Sequence, residues 1–289
     1  MKKIMAFALV LCMVLTFAAC GKAEVTMQDI YNAVQTETML KNHQSVYIRD
    51  GLDGELLNER YLTRDYAFDY VPDAEFDWVE FMTDDECYYY VGGDKLYFFY
   101  ITPDGVGDFA SERAEDFASV LLGEDTINET IESVSEKDGR ITVTSVLSQK
   151  NLEVLAEDGI TAGKFVYVLD AKTREMISIA GDYTFEGDVH HQMASEIFYD
   201  AEEPEMLKTF LAYENQTENL RNITVVSNPG TEKEESRSVQ TPKGLIIGFQ
   251  YDEAFEGAVE FYIDAACTEN YDPYADTDSD LTIYIKWAE

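Results

Sequence analysis

The chain has 289 residues, of which 46% are apolar and 13% aromatic, enough to bury a real core in spite of its charge. Asp and Glu number 57 against 21 Lys and Arg, a formal net charge of −36 at pH 7. A surface that negative repels nucleic-acid phosphates and anionic membrane faces, which excludes a nucleic-acid partner and a basic patch as a membrane tether.

Lys2-Lys3 is a short basic start, Ile4 to Ala19 is a nearly unbroken apolar run, and small residues close it at Ala18-Ala19-Cys20-Gly21. Too short to serve as a membrane span, that order predicts a signal peptide over residues 1–19. Ala-Ala immediately before Cys resembles the bacterial lipobox, which implies cleavage before Cys20 and acylation of its thiol and new amino group. Two or three acyl chains hold firmly, at about 0.8 kcal/mol per buried CH2. The expectation is a lipid-anchored (palmitate-bearing) protein of the cell membrane, facing away from the cytoplasm, with residues 20–26 as tether. The alternative is an ordinary cleaved signal with Cys20 incidental. Cys87 and Cys267, far apart in sequence, read as two separate thiols.

Thr26-Met-Gln-Asp29 has capping-box spacing, and Ile30, Tyr31 and Val34 follow at helical intervals, which predicts a helix over about 27–41. From Ser45 to Ile101 the period changes to two, in short runs rich in aromatic and β-branched residues. Gly92-Gly93 between Cys87–Val91 and Asp94–Tyr100 marks a hairpin. Ser111–Leu122 returns to helical spacing. Lys137-Asp138-Gly139 and Ala171–Arg174 each turn a further hairpin, with a short helix near Leu152–Glu157 between them. Asp188–Tyr199 is one more strand, and Pro204 starts a helix through Leu207, Phe210 and Leu211.

The expected fold class is α+β: a large curved antiparallel sheet with covering helices over 27–213, then a small β-grasp-like domain over 219–289. The order of elements in 25–213 resembles the Lol-type lipoprotein carriers and mycobacterial-type lipoproteins. That resemblance implies a half-barrel wrapped around a lipid-sized cavity.

The tail carries its own pattern. Phe261-Tyr-Ile-Asp-Ala-Ala-Cys-Thr268, then Tyr271, then Asp280-Leu-Thr-Ile-Tyr-Ile-Lys-Trp287 is similar to the Listeria–Bacteroides repeat, the internalin B-type repeat of bacterial surface proteins. It implies a β-grasp-like module for display and protein contacts, without catalysis. Read without the family, the same residues give four short strands and a terminal one with Leu281, Ile283 and Ile285 inward.

No reaction centre emerges. His190-His191 are strand neighbours that point to opposite faces, so they do not share a metal, and no metal or cofactor is expected. Asp276-Thr-Asp278-Ser-Asp280 opens like a calcium loop but has Leu281 and Trp287 where that loop needs Gly and Glu, and is read as a solvated turn. No Gly-x-Ser-x-Gly and no phosphate-cradling glycine loop is present, and Cys87 has no dedicated base nearby in sequence. The expectation is a protein that is not an enzyme.

Aromatic density is the remaining pointer. Tyr88–Tyr90 and Tyr97–Tyr100 must occupy both faces of one hairpin, one set in the core and the other lining a groove or lying under a helix. The candidate ligand-binding residues are Tyr88, Tyr90, Tyr97 and Phe99. The reading is a surface lipoprotein that binds an apolar ligand such as a lipid, or an envelope protein or glycan. The alternatives are a purely structural or adhesive display protein, and a cell-wall or glycan hydrolase, which needs two acids roughly 5–10 Å apart in a cleft.

Overall fold

The computed structural model describes residues 24–72, 77–91, 96–102, 109–117, 121–187, 189–214, 219–249 and 259–287. Cys20 and the signal segment lie outside them, as do the Gly92-Gly93 turn and the side chains of Tyr90 and Tyr97.

Helix α1 (Met27–Ala33) opens on the expected cap. Asp29 N donates to Thr26 Oγ1 (3.2 Å) and Thr26 N donates to Asp29 Oδ2 (2.8 Å), a capping box closed by the shorter acid. The helix stops well short of 41. Val34 N and Gln35 N reach back only three residues, to Tyr31 O and Asn32 O, and Gln35 Nε2 competes for Tyr31 O at 3.1 Å. A separate turn, α2 (Thr36–Met39), follows.

A meander comes next: β1 (Val46–Leu52), β2 (Glu55–Leu62), β3 (Tyr66–Val71), β4 (Trp78–Thr83), β5 (Cys87–Val91) and β6 (Leu96–Ile101). After α3 (Ala110–Asp116) come β7 (Thr130–Lys137), β8 (Arg140–Val146), α4 (Gln149–Leu155), β9 (Ile160–Asp170), β10 (Met176–Phe185) and β11 (Val189–Tyr199). Helix α5 (Glu205–Glu214) leads into β12 (Leu220–Ser227), β13 (Glu235–Pro242), β14 (Ile246–Phe249), β15 (Val259–Tyr262) and β16 (Leu281–Trp287).

The described residues fall into two compact units. One comprises residues 24–38, Leu52–Gly54 and Leu121–Ile197. Its strands run in the order β11-β10-β9-β8-β7, with β7 through β11 paired antiparallel in turn. The β7–β8 turn is the expected one, with Asp138 and Gly139 at φ 53° and 75°, the left-handed pair a two-residue hairpin needs. Ile141, Val143, Tyr167 and Met176 are fully buried here. The Tyr167 hydroxyl donates to Glu129 Oε2 (2.8 Å), and Ser145 Oγ donates to the same oxygen. Burial raises the Glu129 carboxyl against those two donors. His190 Nδ1 lies 3.2 Å from Asp182 and His191 Nδ1 2.7 Å from Asp53, so each imidazole meets its own carboxylate.

The other unit comprises Met39–Gly51, Glu55–Val120 and Phe198–Glu289. Its larger sheet runs β14-β6-β5-β4-β3-β2-β1, and its smaller one β13-β12-β16-β15. Strands β2 to β6 pair antiparallel, but β14 pairs parallel with β6. The sheet is therefore mixed, not antiparallel throughout, and its parallel strand comes from the tail. Ile246-Ile-Gly-Phe is a short apolar run with both isoleucines buried, the composition a parallel strand covered on both faces calls for. In the smaller sheet β12 and β16 are parallel neighbours, with β13 and β15 antiparallel outside them.

One row of side chains crosses the larger sheet on its inner face, through register partners Tyr61, Phe68, Phe81, Tyr88, Phe99 and Ile247. It packs with Leu207 and Phe210 of α5 and with Ile223, Val225, Ile283 and Ile285 of the smaller sheet. Ile283 and Ile285 point inward as expected, and Leu281 packs against the cluster half-buried.

Candidate functional site

Strand parity divides the aromatic hairpin. Tyr88 and Phe99 lie on the inner face, 2% and 0% exposed, with their rings 4.9 Å apart and Phe210 5.7 Å from Tyr88. Tyr90 and Tyr97 are register partners in the same ladder. On the opposite face a second row runs Arg60, Asp69, Glu80, Tyr89, Phe98, Ile246, changing from charged to aromatic as it crosses the sheet.

The charged end is a compact network. Arg60 Nη1 is 3.4 Å from Asp50 Oδ2, and its Nε is 3.7 Å from Asp69 Oδ1. With its amide NH2 toward Asp50 Oδ2 (2.6 Å), the oxygen of Asn58 accepts from Arg60 Nη2 (2.7 Å). Burial pushes the Asp69 carboxyl up to about 6, against the pull of Arg60. Beside it the Tyr89 hydroxyl donates to Glu80 Oε1 (2.5 Å), and burial next to that carboxylate raises the tyrosine.

The aromatic end opens into a cleft of about 470 Å³, within the range of small-ligand sites. Its floor is Phe98 and Tyr100 of β6 beside Ile246 and Gly248 of β14. A β-carbon at Gly248 would sit 2.8 Å from the Tyr100 ring, so glycine is what lets that ring lie flat over the strand. The facing wall is β15, with Val259, Glu260 and Phe261. Phe249 and Phe261 stack with centroids 3.9 Å apart and close the inner end. Asn270, Tyr271, Pro273 and Tyr274 form the rim, and Tyr274 is 65% exposed.

Arg221 of β12 holds this rim in place. Its side chain is 1% exposed, and Nη1 donates to Asp276 O (3.0 Å) and Ser279 O (3.3 Å) while Nη2 donates to Leu245 O (2.6 Å). One planar fork thus ties the 276–279 loop to the residue that precedes β14. Burial lowers the guanidinium's pKa, and Tyr271, Asp276, Asp278 and Asp280 oppose that shift. Tyr271 adds a second tie, its hydroxyl donating to Ile247 O (3.0 Å). Burial pushes that phenol up to about 12.

The acidic loop is occupied with its own backbone. Asp276 Oδ1 accepts from Asp278 N and Ser279 N, both at 2.9 Å, and these bonds bring its carboxyl down to about 2. Asp280 accepts from Asn222 N (2.7 Å) and Nδ2 (3.1 Å). Cys87 is a buried thiol and Cys267 a half-buried one, unbridged.

Sequence reasoning missed Phe98, Tyr100 and the β14 strand as site elements. Alternation within Leu96–Ile101 places Phe98 and Tyr100 on one face, but nothing local says which face the core takes.

No protein-family model and no curated protein matches the chain. Among solved structures it is similar to the lipoprotein LppX of Mycobacterium tuberculosis, with 9% identity and a TM-score of 0.36 over 62% of this chain and 96% of that one. It is similar to a LolA superfamily protein from Nitrosomonas europaea, with 9% identity and a TM-score of 0.24 over 64% and 97% of the two chains. MucB, solved in complex with MucA(peri), gives 10% identity and a TM-score of 0.25 over 63% of this chain and 58% of that one.

Proposed function

We propose that the chain is a non-enzymatic lipoprotein, anchored through Cys20 on the outer face of a membrane, that captures an apolar ligand in the aromatic cleft. The cleft carries the reading: rings from two strands of the larger sheet and one of the smaller surround about 470 Å³. Rings in such an arrangement offer apolar area at little cost in side-chain entropy. Among the described residues no helix is long and apolar enough to cross a membrane. The tail's role as a β-grasp-like module is supported by its strand order, in which the first and last strands are the parallel central pair.

Native mass spectrometry of the protein purified from its own membranes tests this. A bound apolar molecule is expected, released on denaturation and reduced in occupancy by Tyr274→Ala. A clean apo mass, with no binder among added acyl and aryl compounds, would sink the ligand-binding reading. The display-protein reading would then stand, favoured by the exposure of Tyr274 (65%) and Ile263 (40%) on the smaller sheet's loops.

A further inference from the structure

We propose that the cleft takes a planar, uncharged aromatic molecule, a pair of fused rings with a hydroxyl or carbonyl group, in place of an acyl chain. The inference rests on the cleft being a ligand site and adds the ligand's shape. Dimensions come first. The floor strand β14 is four residues long, which spans about 10 Å in the extended conformation. Spread over that length, 470 Å³ leaves a mean section of about 50 Å². A single polymethylene chain is far narrower, and the length it needs ends at the Phe249–Phe261 stack that closes the inner end. The space is short and broad, as a fused ring system is.

The lining offers ring faces. Three adjacent atoms of the Tyr100 ring lie 2.8, 3.1 and 3.1 Å from the place a β-carbon at Gly248 would take, so the ring rests one face on β14. Tyr89 meets that ring T-shaped at 4.9 Å and 72°, and Phe98 lies beside it at 6.1 Å and 32°. At the rim Tyr274 is 65% exposed, its turn set by its own N–H donating to Asp272 Oδ1 (3.0 Å). The phenols of Tyr100 and Tyr274 are near enough to interact: burial raises Tyr100, and the Cys87 thiol and then Tyr274 add to the shift. A planar ligand entering between them is offered both rings, and stacking then adds to what burial contributes.

The polar groups fix the ligand's charge. Glu260 alternates with Val259 and Phe261, stands opposite Lys286 and accepts from Tyr262 (2.6 Å), so its carboxylate turns away from the cleft. Arg221 and the Tyr271 hydroxyl are spent on backbone carbonyls. The polar side chains that remain among the described lining residues are the two phenols and the Asn270 amide, all neutral. They suit an uncharged donor or acceptor on the ligand.

The experiment uses the full chain in a glycosidic detergent at fixed concentration, titrated calorimetrically with three ten-carbon alcohols. These are planar 2-naphthol, its saturated and buckled counterpart decahydro-2-naphthol, and the chain alcohol 1-decanol, each corrected for partition into protein-free micelles. 2-Naphthol is expected to bind about tenfold tighter than either of the others, as two ring contacts beyond area burial imply. Tyr274→Leu keeps apolar area but removes a ring face. It is expected to cost 2-naphthol severalfold in affinity and decahydro-2-naphthol less than twofold, with Tyr274→Phe restoring 2-naphthol. The side chain is exposed, so both variants are expected to keep the parent melting temperature. Decanol or decahydro-2-naphthol binding as tightly as 2-naphthol overturns the ring assignment and leaves an apolar cleft standing. Failure of all three probes to bind overturns the cleft as a ligand site, and this assignment with it.

Discussion

Asp69 is a buried carboxyl whose ionisation the fold resists. Its Oδ1 is buried without a hydrogen bond, 3.7 Å from Arg60 Nε, and its carboxyl is raised to about 6 from an unfolded value near 3.9. The folded chain thus holds this proton more tightly than the unfolded one. The stability it contributes is fully present below about pH 4 and is lost as pH rises through about 6. Asp69→Asn removes that loss, so the variant is expected to exceed the parent by ~2–3 kcal/mol at pH 7.5 and to match it near pH 4. Urea midpoints across that range measure it, and parallel profiles for the two proteins would refute it. Arg221 gives the opposite kind of case, a buried charge whose removal orphans three carbonyls. Arg221→Met is expected to destabilise by about 3–5 kcal/mol, and Arg221→Lys, which keeps the charge without the fork, by about half that. Equal losses in the two variants would show that the fork geometry contributes nothing.

At the scale of elements, α5 is the helix whose docking is best defined. Phe210 is 5% exposed and lies 5.0 Å from Phe81 and 5.7 Å from Tyr88, between the rings of β4 and β5. Phe210→Ala is expected to cost about 3–5 kcal/mol, read from the urea midpoint, while a loss under 1 kcal/mol would mean the helix is not a wall of this core. Pro204 and the spacing of Leu207, Phe210 and Leu211 make this helix legible in the sequence, as the residues themselves do for the Asp138-Gly139 turn and the Thr26–Asp29 cap. Local signals of that kind travel within a few residues. What escapes sequence reading is set by distance. The break after Ala33 comes from Gln35 turning back onto Tyr31, and the assignment of Tyr88 and Phe99 to the core is decided by α5, more than 100 residues on. Strand β14 reads locally as one more tail strand. Only its register with Phe98–Ile101 shows it as the last strand of the larger sheet, and without it the cleft has no floor.

For the molecule as a whole, the proposed lipid and the charge set opposite conditions. A chain of net charge −36 has no electrostatic attraction to an anionic membrane face, so the proposed attachment rests on a lipid at Cys20. Cys20→Ser is expected to abolish incorporation of labelled palmitate and to move the protein from the membrane fraction to the soluble one. Retention in the membrane would point to a different anchor. The same charge would ordinarily make an exported protein sensitive to the divalent ions around it. The 276–280 loop has the opening acid spacing of a calcium loop, yet its carbonyls close on a guanidinium belonging to the chain. Its counterion is inherited with the sequence and cannot be diluted, chelated or exchanged. The rim of the cleft should therefore keep one shape through any swing in external calcium, with ligand affinity the same in a chelator as in millimolar calcium. A binding site framed this way would answer to its ligand and to nothing of the ionic weather around it.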